Sequence, residues 1–131
     1  DFDLQKYDAV IISDYNKGFM SEDDMDYISK NSKLSFLDTK RRLGSWCDDF
    51  SFIKINHLEY ERTKSTITDK ILKNLIVTRG PRGCAYNGKT YAVGLVEVKD
   101  TSGAGDTFVA ALCFKYVLTG DMDKSIHFAI G

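Results

Sequence analysis

The chain has 131 residues, 43% of them apolar and 28% charged, which is the composition of one ordinary globular domain and excludes a disordered or low-complexity segment. Lys and Arg number 18 against 19 acids, a net charge of -1, so no long-range field draws in nucleic acid or an anionic membrane. No apolar run approaches the roughly 20 residues of a membrane span, the opening Asp1-Phe2-Asp3-Leu4 carries no signal-peptide pattern, and Cys47, Cys84 and Cys113 are widely spaced without a CxxC, which argues against disulfides or zinc and for a reducing cytoplasm.

In chain order, the apolar run over 7–13, centred on Val10, Ile11 and Ile12, predicts a strand buried on both faces. Residues 14–19 read as a polar turn. Ser21 is placed to cap a helix reaching about Asn31, with Glu22, Asp23 and Asp24 in its first turn and Met25 and Ile28 facing inward. Strands are predicted over 34–37, closing at Asp38-Thr39-Lys40, and over 50–55, closing at Asn56. A short helix over 66–73 precedes a strand over 74–78 and the tight loop Gly80-Pro81-Arg82-Gly83. Residues 84–86 and 89–93 flank Asn87-Gly88, the signal of a hairpin with a two-residue turn. An extended stretch at 96–98 and helices over 103–118 and 121–130 complete the pattern.

Strands alternating with helices predict an α/β layer with a mainly parallel sheet. Its strands end in the polar residues Ser13-Asp14, Asp38, Asn56 and Thr78. Ligands of open α/β sheets sit beyond the carboxyl ends of the strands, which makes this edge the candidate site. Taken singly, each of these residues is equally well a loop residue.

The most informative stretch is Asp100-Thr101-Ser102-Gly103-Ala104-Gly105-Asp106-Thr107-Phe108, which joins an extended segment to a helix. The near absence of side chains at Gly103, Ala104 and Gly105 lets a ligand approach the backbone, and helix-start N–H groups favour an anion. A carboxylate at Asp106 is badly placed to bind phosphate and well placed to take a proton from a hydroxyl attacking it. Without more context, a helix cap by Thr101 or Ser102 accounts for the same string.

The stretch resembles D-T-x-G-A-G-D, the C-terminal signature of the ribokinase family, the PfkB-type carbohydrate kinases. Asn56-His57-Leu58-Glu59 is similar to the family's N-x-x-E, and Thr78-Arg79-Gly80-Pro81-Arg82-Gly83 to its T-x-G-x-x-G nucleotide loop. Ser13-Asp14-Tyr15-Asn16-Lys17-Gly18 and Asp38-Thr39-Lys40 look like stretches of the heptose-7-phosphate kinase branch. The resemblance implies a ribokinase-like, Rossmann-type layered sheet with flanking helices, a partial α/β domain. Residues 1–131 would then be the C-terminal portion of one kinase domain, truncated at both ends.

The implied activity is transfer of the γ-phosphoryl group of ATP to a hydroxyl of a small-molecule sugar or sugar phosphate. By position, Asp106 matches the catalytic base and Gly103, Ala104 and Gly105 the anion hole. Asn56 and Glu59 match the residues that organise Mg2+ and the phosphates, and Thr78, Gly80 and Gly83 the nucleotide loop. Asp100 and Ser102 fall where some members hold a monovalent cation, and Asp14 and Lys17 match the sugar side. By itself, Asn56-x-x-Glu59 is equally a helix N-cap with its reciprocal partner. The reading from another class is a non-catalytic binding module that kept a truncated kinase fold.

Gly83 to Thr90 also satisfies G-x-x-x-x-G-K-[ST]. A P-loop needs a helix straight after it, whereas Tyr91-Ala92-Val93 is β-like, so a hairpin with a solvated Lys89 is expected instead. Lys40-Arg41-Arg42 reads as a solvated basic loop or a contact for a sugar phosphate. His57 and His127 show no ligand spacing. Trp46 and the phenylalanines are expected in the core, with Cys84 and Cys113 packing as small hydrophobes.

Overall fold

A computed structural model describes residues 3–14, 20–92 and 102–130; in the last segment the backbone is described from Ser102 and side chains from Phe108. One six-stranded sheet runs β1 (Val10–Asp14), β2 (Ser35–Thr39), β3 (Phe52–Asn56), β4 (Leu75–Thr78), β5 (Cys84–Tyr86) and β6 (Lys89–Tyr91), neighbouring in that order. The pairs β1–β2, β2–β3 and β3–β4 are parallel, and β5 and β6 add an antiparallel hairpin. Helices α1 (Glu22–Asn31), α2 (His57–Thr63), α3 (Asp69–Lys73), α4 (Ser102–Thr119) and α5 (Met122–Ile130) flank it.

Side chains alternate across a pleated strand, and here both faces are covered. Leu37, Ile53, Ile55, Leu75 and Val77 pack with Met25, Leu43, Cys47, Phe50 and Ile71 on one side. Phe36, Phe52 and Ile76 pack with Phe108, Val109, Leu112, Met122 and Ile126 on the other. The result is a three-layer α/β/α arrangement, and every residue of β2 and β4 is buried. Strand β1, expected from its apolar run to be buried on both faces, instead leaves Ile11 40% exposed, because it pairs with β2 alone at the end of the described strand order.

The first helix follows its sequence signals. Ser21 Oγ accepts the Asp24 N–H at 3.0 Å, and the Asp24 carboxylate accepts the Ser21 N–H at 3.2 Å. Met25 is fully buried and Ile28 packs beside it. Two expectations differ in place. The strand expected from residue 7 starts at Val10, because Leu4–Lys6 forms a 3-10 turn capped by Asp3. The helix expected over 66–73 begins only at Asp69, since Thr68 is extended and its hydroxyl caps the Ile71 N–H at 3.1 Å; a separate helix, α2, follows β3 at once.

The hairpin is a two-residue turn with Asn87 at φ 51° and Gly88 at φ 79°, the pair of positive angles that a type I′ turn needs. Strand β6 begins at the lysine of the P-loop pattern, where a P-loop would need a helix. Lys89 Nζ lies 2.7 Å from Asp123 Oδ1, and the Tyr91 hydroxyl donates to the same oxygen at 2.8 Å, so the hairpin is tied to α5. Burial, then the bond to Asp123, raises the Tyr91 phenol above its usual pKa.

Cys84 and Cys113 pack as small hydrophobes, and Trp46 is partly buried against the α1 side. Phe114 and Phe128 depart from the expected core placement: they are 59% and 47% exposed and pair at 6.2 Å between ring centroids. Among the described residues, no helix is long and apolar enough to cross a membrane.

Two outcomes follow from this packing. Leu112 is fully buried, so Leu112→Ala should cost about 2–5 kcal/mol, whereas Phe114→Ala should stay within about 0.5 kcal/mol; urea unfolding of both variants compares them. Burial also pushes the Cys47 thiol up to about 11 and the Cys84 thiol up to about 12. Both should resist a thiol reagent at pH 8 until the chain unfolds. Because the folded-state values lie above the unfolded value of 9.0, their contribution to stability is intact below about pH 9 and is lost as pH rises through 11 and 12. Denaturation midpoints measured across pH 8–11 should therefore fall.

Candidate phosphate-binding edge

Parallel register places the polar strand ends side by side. Ser13 lies beside Asp38 and Asp14 beside Thr39, Asp38 is the partner of Lys54, and Asn56 is the partner of Thr78. The N-x-x-E and T-x-G-x-x-G segments thus leave adjacent strands at the same level.

Asn56 is the residue on which β3 turns into α2. Its Oδ1 accepts the Glu59 N–H at 2.8 Å, and Glu59 Oε1 accepts the Asn56 N–H at 2.9 Å. This is a complete capping box, so the capping reading of these residues holds in the structure. Glu59 is only 4% exposed, and its second oxygen, Oε2, pairs with Lys40 Nζ at 2.7 Å. A cation is therefore already accommodated at this carboxylate. Asn56 and Glu59 offer hard oxygen donors, which fits Mg2+ held by one carboxylate together with phosphates. Among the described residues there is no group of three or more His, Cys, Asp or Glu suited to hold a metal ion.

The next strand ends at Thr78, fully buried, whose hydroxyl points to the Ile55 carbonyl at 3.5 Å. The loop beyond it is a 3-10 turn, Gly80–Arg82, closed by Arg79 N–H to Gly83 O at 2.7 Å and Gly83 N–H to Gly80 O at 3.0 Å. Gly80 and Gly83 have φ 57° and 89°, angles that a side chain disfavours. The two glycines of the motif are thus required by the backbone path itself.

On the far side, Asp14 is buried and its Oδ2 accepts from Thr39 Oγ1 and Arg41 Nε, each at 2.7 Å. Arg41 also reaches the Met20 carbonyl, which locks its guanidinium. Lys54 Nζ and Asp38 Oδ1 form a buried pair at 3.8 Å. A small cavity of about 200 Å3 lies here, lined by Lys40, Arg41, Arg42, Glu59, Arg62 and Thr63. Arg62 carried no sequence signal of its own; it joins the cavity because α2 brings it one turn beyond Glu59. A larger groove of about 640 Å3 between α3 and the hairpin is lined by apolar groups such as Leu72, Val77 and Tyr86, and none of the four polar strand ends lines it.

Ser102 opens α4, and Gly103, Ala104, Gly105 and Asp106 lie in its first turns. Lys17 and Asp100 fall outside the described residues.

The profile of the pfkB family carbohydrate kinases matches residues 47–131. The bifunctional protein HldE of Marinomonas sp. (strain MWYL1) is 32% identical over 96% of this chain, which spans 31% of that protein. Fructokinase-2 of Solanum lycopersicum is 35% identical over 61% of the chain and 29% of its own length. Among solved structures, the nucleoside kinase of Methanocaldococcus jannaschii, described as an archaeal member of the ribokinase family, superposes with a TM-score of 0.69 at 22% identity, over 94% of this chain and 47% of that one. The adenosine kinase of Schistosoma mansoni gives a TM-score of 0.69 at 18% identity, over 94% of this chain and 48% of that one. The chain thus spans about a third of these curated relatives and about half of these structures, and it has the ribokinase-like α/β fold over that span. With the family profile matched across more than half its length, the chain belongs to the pfkB family of carbohydrate kinases.

Proposed function

We propose that the chain is the nucleotide-handling portion of an ATP-dependent sugar or sugar-phosphate kinase. The observation that carries this reading is the pairing of Asn56 with Thr78, which sets the N-x-x-E turn beside the T-x-G-x-x-G loop at the carboxyl edge. Thr78, Gly80 and Gly83 would hold the nucleotide through backbone that carries no obstructing side chain. Asn56 and Glu59 would hold Mg2+, which when bound neutralises charge on the phosphates.

The start of α4 supplies the remaining parts. N–H groups of Gly103, Ala104 and Gly105 would face the transferred phosphoryl group, where the helix dipole favours negative charge. Asp106 would accept the hydroxyl proton. Phosphoryl transfer passes through a loose transition state, so proximity matters more than base strength. Asp14 and Lys17 are assigned to the sugar side, Ser102 to the nucleotide, and Ser102 with Asp100 to a monovalent cation.

Two measurements test the assignment. In the polypeptide that carries the activity, Asp106→Asn keeps size but cannot accept the proton, so kcat should fall by about 10²- to 10⁴-fold, with calorimetric ATP affinity little changed. A kcat near that of the parent would reduce Asp106 to a helix-cap residue. Lys89→Ala should leave nucleotide binding unchanged, because Lys89 serves the hairpin. Gly103→Val should abolish it by blocking the turn, and the reverse pattern would favour a P-loop.

A further inference from the structure

Glu59 has both carboxylate oxygens engaged, one by the Asn56 N–H and one by the Lys40 ammonium. The first is part of the capping box that starts α2. The second is different in kind. Lys40 is 36% exposed in its side chain, and its backbone N–H is pinned to the Asp14 carbonyl at 3.1 Å. Its four-carbon stem can therefore turn about a fixed root. Arg41 is locked in place by Asp14 and the Met20 carbonyl, and the Arg42 guanidinium makes a long 3.4 Å contact with Ser65.

A divalent cation approaching Glu59 Oε2 meets that ammonium, and two cations repel each other at one oxygen. The cavity beside Glu59 offers Lys40 somewhere to go. Its walls carry Lys40, Arg41, Arg42 and Arg62 against the single carboxylate of Glu59, and its volume of about 200 Å3 has room for a phosphate group.

We propose that Lys40 is an exchangeable counter-ion: it neutralises Glu59 until a divalent cation takes that carboxylate, then turns into the basic cavity to pair with a phosphate. This rests on the assignment of Mg2+ and phosphates to the Asn56–Glu59 edge. Lys40 is then a positioning residue, and metal and phosphate bind cooperatively. The coupling is reciprocal, because each ligand raises the other's affinity by the same factor.

The test is Mn2+ binding to the 131-residue chain, followed by electron paramagnetic resonance in a non-coordinating buffer, with and without inorganic phosphate. Phosphate should tighten Mn2+ binding to the parent chain by about 5-fold or more. Lys40→Met and Lys40→Gln should bind Mn2+ alone about 5-fold or more tightly than the parent, and phosphate should no longer help them. Lys40→Arg, which keeps the charge, should retain the phosphate effect. An unchanged or weaker Mn2+ affinity in both neutral variants overturns the exchange, as does a phosphate effect that survives in them. Glu59→Gln separates the two levels. Loss of Mn2+ binding there with no gain in Lys40→Met sinks the exchange alone, whereas undiminished Mn2+ binding in Glu59→Gln sinks the functional reading beneath it as well.

Discussion

The reciprocal cap between Asn56 and Glu59 is the interaction on which the rest of the edge depends. It turns the chain from β3 directly into α2 with no intervening loop. It also fixes a carboxylate, 4% exposed, at the mouth of the sheet, where a buried polar group needs a partner. Lys40 supplies that partner from the end of β2. Arg62 enters the same cavity because α2 starts where the cap starts it. A residue pair that looks like simple helix chemistry is thus also what organises the charges of the candidate site.

Two readings of Asn56-x-x-Glu59, as cap and as site, do not compete. A capping side chain must sit at the first turn of a helix, and in a parallel sheet that turn lies at the carboxyl edge where ligands collect. The same coincidence holds in principle for the start of α4, whose glycines relax the backbone where N–H groups are unpaired. Structure and ligand recognition therefore draw on one set of orphan donors.

Much of the architecture was legible because its causes are local. Ser21 and Asp24 announce α1, Asn87-Gly88 announces the hairpin, and the apolar centres of β3 and β4 announce a sheet covered on both faces, whereas β1, read in the same way, lies at the end of the strand order with Ile11 exposed. The cap of α2 was legible in Asn56-x-x-Glu59, but the helix behind it was not, because its exposed Leu58 gives little amphipathic pattern. The exposure of Phe114 was illegible, since α4 is apolar on nearly every side and its sequence does not say which side meets the sheet. The motifs of the edge were legible one by one. Their adjacency was not, because the pairing of Asn56 with Thr78 and the reach of Lys40 to Glu59 are set by strand register and tertiary packing.

In the proposed function, one nucleotide site is shared by the ends of β3 and β4 and the start of α4. Backbone amide shifts of the isotopically labelled chain, followed while Mg2+ and a non-hydrolysable ATP analogue are titrated in, test it most directly. The amides of Asn56, Glu59, Gly80, Gly83 and Gly103 to Gly105 should move together along one binding curve. Shifts confined instead to Asn87, Gly88 and Lys89, or to the apolar groove around Leu72 and Tyr86, would contradict it.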